Sequence, residues 1–547
     1  MSCVSARGLA VVAAAMTLAA AVAQSPAPLG PGPQWRGPVR PSGHNEAFAT
    51  GDGCAMCHSV AATAMAMRSA TGDDVSPHGL WQASVMAQSF RDPYWRASVA
   101  KEVALDPTRR EEVEALCLRC HAPMAHHSRR LAQQATASVH ELTDEPLARD
   151  GVSCTVCHQI QADGLGTEAT FAGKPKITKE RVIFGPYADP VPGPMRMHSS
   201  FTPTHGAHVQ SSALCASCHT LHTTHGGEPF PEQTPYLEWR NSEFTTEPAT
   251  TATSRSCQQC HMAELGPTRI ARNPAGADFL IPVRDGYRGH TFVGGNAFLL
   301  DLLAQNRDVL GVPASKDALN RTAFASRKLL AERTVALTLG ELVRQDGALH
   351  CQVRVDNLTG HKFPTGYPAR RAWLHVQVRV GNDVVFDSGG YTKAGEIVQE
   401  QQPLQHGHVT RITQPADVLV WELVAADADG APTTALTRMA KRSKDNRLLP
   451  RGYQMAGPHV ADTAPVGVGS DLDFTAGGDS VDLAIPLAAD AGRATVVVWV
   501  HYQTMPPHWV APLRSVDADE CRTFVAMYDA ADLKPETVAV AMRSEVP

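Results

Sequence analysis

Cys54-Ala-Met-Cys57-His58 is the first of five stretches with one spacing. The others are Cys117-Leu-Arg-Cys120-His121, Cys154-Thr-Val-Cys157-His158, Cys215-Ala-Ser-Cys218-His219 and Cys257-Gln-Gln-Cys260-His261. Two residues between the cysteines let both sulfurs reach opposite edges of one porphyrin, and the next residue is an imidazole. Each stretch therefore has the form of a c-type haem attachment site. Its thiols add across the haem vinyl groups, and its histidine ligates the iron from the proximal side. Zinc sites and thioredoxin-like dithiols also use Cys-x-x-Cys, but neither needs a histidine after every second cysteine. The sequence thus predicts five covalent haem c groups.

The N-terminus bears on the compartment. Arg7 is the only charge in the first 35 residues, and Leu9 to Val22 is apolar. Ala21-Val22-Ala23 is a small-x-small cleavage pattern, so residues 1–23 read as a secretory signal peptide rather than a membrane span. A Pro/Gly-rich stretch over 24–50 reads as a flexible lead-in. No later run approaches transmembrane length. The expected location is periplasmic, with the cell surface as a variant. Of 13 cysteines, ten sit in the motifs and Cys3 in the signal peptide. Cys351 and Cys521 remain, either as one disulfide or as two buried thiols.

The rest of the chain divides by pattern. Residues 51–295 carry every motif at roughly 50 residues per haem, too few for a conventional core around each. Short helices and long connections are expected, with the haems supplying much of the core. A helical stretch over Leu80–Leu105 should break at Asp92-Pro93. Helices over Asn296–Asn306 and Lys316–Glu332 form a connector, 296–333. From 334 to 547 short alternating segments separated by Gly, Asp and Asn turns predict an antiparallel β-sandwich-like domain without haem motifs. The fold class is α+β and multidomain.

The sixth ligand of each iron decides its role. Two axial histidines give a closed electron carrier, whereas an open position binds small molecules. Nineteen histidines remain beyond the five proximal ones. Candidate distal ligands are His78, His208, His225, His290 and His361. His198 and His205 rival His208, and His222 rivals His225. His126, His127 and His140 are weaker, and Met124 offers a thioether. The loop Asp356–Arg371 is dense in turn formers and functional groups. It reads first as a haem-propionate or interdomain contact and then as the source of His361. Last, it reads as an anion site built from His361, Lys362, Tyr367, Arg370 and Arg371.

Several phrases resemble multihaem c-type cytochromes of the broad cytochrome c554 class. They are Cys117-Leu-Arg-Cys-His-Ala-Pro-Met, Gly151-Val-Ser-Cys-Thr-Val-Cys-His, Leu214-Cys-Ala-Ser-Cys-His-Thr-Leu, Phe230-Pro-Glu-Gln-Thr-Pro-Tyr-Leu-Glu-Trp-Arg-Asn and Thr359-Gly-His-Lys-Phe-Pro-Thr-Gly. The likeness spans about residues 50–375. It implies closely packed, mostly bis-His haems that move electrons. Pentahaem nitrite reductases characteristically use Cys-x-x-Cys-Lys at the catalytic haem, and this chain has no such motif. Hydroxylamine oxidoreductases carry more haem sites and a tyrosine crosslink.

Net charge is −6, and no basic patch of the kind nucleic acids require is visible. Redox proteins are the expected partners, docking where a haem edge nears the surface, with association in a membrane or extracellular redox complex as an extension. The functional expectation is an electron-transfer protein of bacterial respiration. The alternative is a reductase with one open haem, acting on a nitrogen or sulfur oxyanion or a peroxide.

Overall fold

A computed structural model describes residues 38–224, 229–400, 402–469 and 471–546. The predicted signal peptide, most of the lead-in and His225 lie outside the described residues.

Every motif begins on a short helix, and two of these helices have a side-chain cap. Gly51–His58 carries the first, and Arg110–His121 ends in the second. Cys154–Cys157 is a single turn. Ser211 caps Ser212–Ala216, which carries Cys215. Ser256 and Gln259 form a capping box at the head of Cys257–His261, satisfying orphan backbone donors reciprocally. The expected break at Asp92-Pro93 is the start of helix Pro93–Leu105. The Asp92 carboxylate accepts from the Tyr94 and Trp95 amides, with Pro93 in the first turn.

The first half has more apolar core than roughly 50 residues per haem suggested. Phe48, Phe90, Leu118 and Met124 pack with Leu299, Leu300, Leu302 and Leu303 of helix Ala297–Gln305. That helix lies against Lys316–Arg333. The cluster is closed by a distant part of the chain: Met505, Val510, Cys521, Phe524 and Tyr528. These belong to the segment 334–547 that the sequence assigns to the sandwich. Helix Asp519–Asp529 instead packs on Pro93–Leu105, because its apolar face (Cys521, Phe524, Met527, Tyr528) fits there.

The remainder of 334–547 forms two sheets. One orders strands 411–412, 478–486, 348–357 and 335–339, with 343–345 also paired to 348–357. The other orders 441–445, 420–426, 371–380, 494–503 and 536–544, with 383–388 added to 371–380. All pairs in both sheets are antiparallel except the two-residue contact of Arg411–Ile412 with Asp482–Leu483. Val353, Val355, Leu374, Val376, Val481, Leu483, Val496 and Val498 share one core between them, as inward alternation requires. Cys351 and Cys521 are unbonded and lie in different apolar clusters. Of the two readings of this pair, the structure has the buried thiols. Among the described residues no helix is long and apolar enough to cross a membrane.

Candidate functional site

A cavity of about 2180 Å³ runs through the first half and is lined by at least one residue of each motif. Shared among five motifs, that is about 440 Å³ each, within the range of a single-ligand pocket. The wall includes Arg288, Arg333, Arg370 and Arg451 and no lysine. Planar guanidinium forks suit carboxylates such as haem propionates.

Four of the five motif histidines are oriented for a metal. His58 Nδ1 donates to the Ile270 carbonyl at 2.8 Å, His121 to Ser89 at 3.0 Å, His158 to Phe184 at 2.6 Å and His261 to Val293 at 2.7 Å. A carbonyl can only accept, so each bond places the proton on Nδ1 and leaves the Nε2 lone pair for the iron. Burial holds all four below the usual imidazole range, His121 down to about 4. A neutral ring is the ligating form.

Two of the motif thiols lack the low pKa of a metal or redox dithiol. Burial pushes Cys117 and Cys157 up to about 12, whereas such dithiols need a depressed pKa. Thiols of different motifs also approach one another. Cys54 lies close to Cys154, Cys120 to Cys218, and Cys215 to Cys257. Cys157 lies near Cys218 and Cys215. The motifs are therefore contiguous in the order first, third, fourth, with the second and fifth both joined to the fourth.

Two of the predicted distal histidines face motif histidines. The rings of His158 and His290 stand 6.3 Å apart, 23° from parallel. Those of His261 and His361 stand 6.2 Å apart, 13° from parallel. Two imidazoles on opposite sides of one metal, through bonds of about 2.0–2.1 Å, would stand about 6.3–6.5 Å apart, centroid to centroid. His290 Nδ1 donates to the Arg288 carbonyl at 3.0 Å and His361 Nδ1 to the Lys362 carbonyl at 2.8 Å. Both Nε2 atoms are thus free, as in the proximal set.

The other candidates are placed differently. His78 is buried in the cavity wall, 5.6 Å from Trp81, within electrostatic reach of His58. His208 is not among the lining residues; its Nε2 donates to the Ile160 carbonyl at 2.8 Å. His198 lines the cavity from an exposed position, and His205 and His140 are exposed. His222 pairs with Asp462 at 3.3 Å. His126 and His127 face each other on helix Pro123–Leu131, away from the lining. Met124 is core: its sulfur accepts from Thr155.

The loop 356–371 splits its functional groups. His361, Tyr367 and Arg370 line the cavity. Lys362 turns into the sandwich half and pairs with Asp445 at 2.7 Å, both fully buried. Arg371 turns the same way and pairs with Glu400 at 2.6 Å. The loop therefore does not surround one group with all five side chains.

Three features in and behind the wall have no signal in the sequence. His44 lines the cavity from the N-terminal lead-in. Glu238 in helix Pro235–Arg240 is completely buried against loop 356–371. Glu232 lines the cavity near Cys117, its only hydrogen bond among the described residues a long one from Gln233. Burial, with Glu102 near, pushes Glu232 up to about 7. Beside it the Tyr367 hydroxyl is buried and lies near that of Tyr94 without forming an ordinary hydrogen bond. The Trp95 indole N–H is likewise buried, close to the Cys117 thiol, and its ring stacks on His121 at 4.4 Å.

No family model matches this chain, and no curated protein matches it. Among solved structures, it is similar to a penta-heme cytochrome c552 from Thermochromatium tepidum. The identity is 16% and the TM-score 0.49, over 91% of this chain and 99% of that one. At that level the similarity carries no functional inference, which rests on this chain's own residues.

Proposed function

We propose that this chain is an exported pentahaem c-type cytochrome that carries electrons in bacterial respiration, between redox protein partners outside the cytoplasm. The observation that carries the proposal is the facing of His158 by His290 and of His261 by His361 at the separation two axial imidazoles require. Haem c supplies an iron centre that takes up and gives up one electron. The chain's residues do the rest. Five cysteine pairs hold the groups by covalent bonds. Carbonyls of Ile270, Ser89, Phe184 and Val293 hold the proton on Nδ1 of four proximal rings. Proximity of thiols of different motifs sets the order, with the fourth motif as a three-way junction.

A pyridine haemochrome assay on the exported protein is expected to give about five haems per chain. A substantially lower count overturns the reading.

A second reading has support at the second motif. Glu232, Tyr94 and Tyr367 give a cluster of acidic and hydroxyl groups near Cys117, and Glu232 holds its proton near neutral pH. Such a wall would serve a reductase with one open haem by donating protons. The adjacent Lys101 is already paired with Glu102 at 2.9 Å, so the cluster is poor in free positive charge. It suits a peroxide better than an oxyanion. A high-spin ferric EPR signal in the oxidised protein, altered by peroxide analogues, would support this reading. Its absence would leave the electron carrier alone.

A further inference from the structure

We propose that Glu238 is a positioning residue, which fixes the loop that presents His361 opposite His261. The inference rests on the reading of His361 as a sixth ligand and goes beyond it.

Glu238 belongs to the haem-bearing half, and His361 to the sandwich half. The Glu238 side chain is completely buried. Its Oε2 accepts from the Lys362 amide at 3.0 Å and from Thr365 Oγ1 at 2.5 Å. Its Oε1 accepts from Thr234 Oγ1 at 3.1 Å and faces Arg447 at 3.2 Å. One carboxylate therefore grips the loop at two points just after His361. The sandwich half grips the same loop from the other side. Asn357 Nδ2 donates to the His361 carbonyl at 2.8 Å and to the Leu448 carbonyl at 3.0 Å. Phe363 and Leu448 exchange backbone hydrogen bonds.

Charge closes the arrangement. Arg447 reaches both oxygens of Asp445, at 2.7 and 2.9 Å, and Lys362 reaches one at 2.7 Å. Two carboxylates and two cations thus form a buried chain Glu238–Arg447–Asp445–Lys362 that crosses between the halves. Buried ion pairs are a weak means of adding stability compared with apolar packing, but they admit few alternative registers. Here the register concerned is that of an imidazole that must arrive 6.2 Å from another. Close packing agrees: a Cβ on Gly360 would stand 3.1 Å from Trp239, the neighbour of Glu238.

The test uses the full haem-loaded chain. In Glu238→Gln, the amide nitrogen must face a donor wherever it points, either Arg447 or the Lys362 amide and Thr365. Thr365→Val removes one hydroxyl bond at nearly constant volume and guards against misfolding of the first variant. Both are read by ferric EPR and carbon monoxide titration, with Glu238→Asp as the conservative rescue. The expected result is a new high-spin ferric signal and binding of up to about one carbon monoxide per chain, partly reversed in Glu238→Asp. His361→Ala separates the two levels. If it yields no new high-spin iron, the ligand reading fails. If it does, while Glu238→Gln and Thr365→Val stay as low-spin as the parent and only melt earlier, Glu238 is merely structural and the inference is overturned.

Discussion

His261 and His361 stand ring to ring, 6.2 Å apart and 13° from parallel, although one closes the last attachment motif and the other lies in a loop of the sandwich half. His158 and His290 repeat the relationship with two loops of the first half. In both pairs Nδ1 of each ring is spent on a backbone carbonyl, which leaves the Nε2 lone pair for a metal. His290→Ala should therefore open one site and only one. The expected outcome is a new high-spin ferric component equivalent to about one haem of five, with carbon monoxide binding to match. A spectrum unchanged from the parent would remove His290 from the ligand set.

The two kinds of histidine differ in how far the sequence reveals them. A motif histidine is named by covalent chemistry acting over five residues, so all five are legible. A facing histidine is named by where a remote loop folds, and His290 and His361 could only be candidates among nineteen spare histidines. The strands show the same division. Val335–Leu339 and Arg371–Val380 alternate or run apolar and are found by period. Gly478–Pro486 is interrupted by Asp479, Ser480 and Asp482, yet is central to its sheet. Asp479 is buried there because the Trp421 indole donates to it. Helix Asp519–Asp529 has no local sign that its partner is Pro93–Leu105, and the buried acids Glu232 and Glu238 look like surface residues until the fold encloses them.

The Lys362–Asp445 pair is fully buried, and Asp445 is shared with Arg447 and Arg442. Asp445→Ala would leave buried cations uncompensated and should cost about 3–5 kcal/mol. The double change Lys362→Met with Asp445→Leu should recover part of that loss. The cations hold the Asp445 carboxyl well below the usual carboxylate range. Its stabilisation is therefore complete above the ordinary pKa of about 3.9 and is lost as pH falls below that value. Chemical denaturation at pH 7 and at pH 3 measures both. Equal loss from Asp445→Ala at the two pH values would contradict the pairing.

Glu232 behaves in the opposite sense. Burial, with Glu102 near, moves its carboxyl up to about 7, so between about 4.5 and 7 the folded chain holds a proton that the unfolded chain has released. Stability should fall as pH rises through that window and then level off. Glu232→Gln removes the penalty and should stabilise the protein by on the order of 1–3 kcal/mol at pH 8, with little change at pH 4. Thermal unfolding of parent and variant across this range decides it; parallel curves would place Glu232 outside the buried wall.

Cys351 and Cys521 are the two cysteines outside the five motifs and the N-terminal apolar stretch, and they sit in separate cores. The Cys351 thiol points to the Gly340 and Gln352 carbonyls, and that of Cys521 to the Ala97 carbonyl at 3.3 Å. Burial pushes both up to about 11, which keeps them protonated and unreactive in the folded chain. Thiol titration of the haem-loaded protein should therefore find about two free thiols in denaturant and none under native conditions. Reductant should leave the melting temperature unchanged. Cys521→Ser should destabilise by about 1–2 kcal/mol, since a hydroxyl replaces a sulfur packed between Pro93–Leu105 and the C-terminal helix. Absence of thiols in denaturant would mean that the two residues bond after all, which would require the two cores to share a contact they do not have.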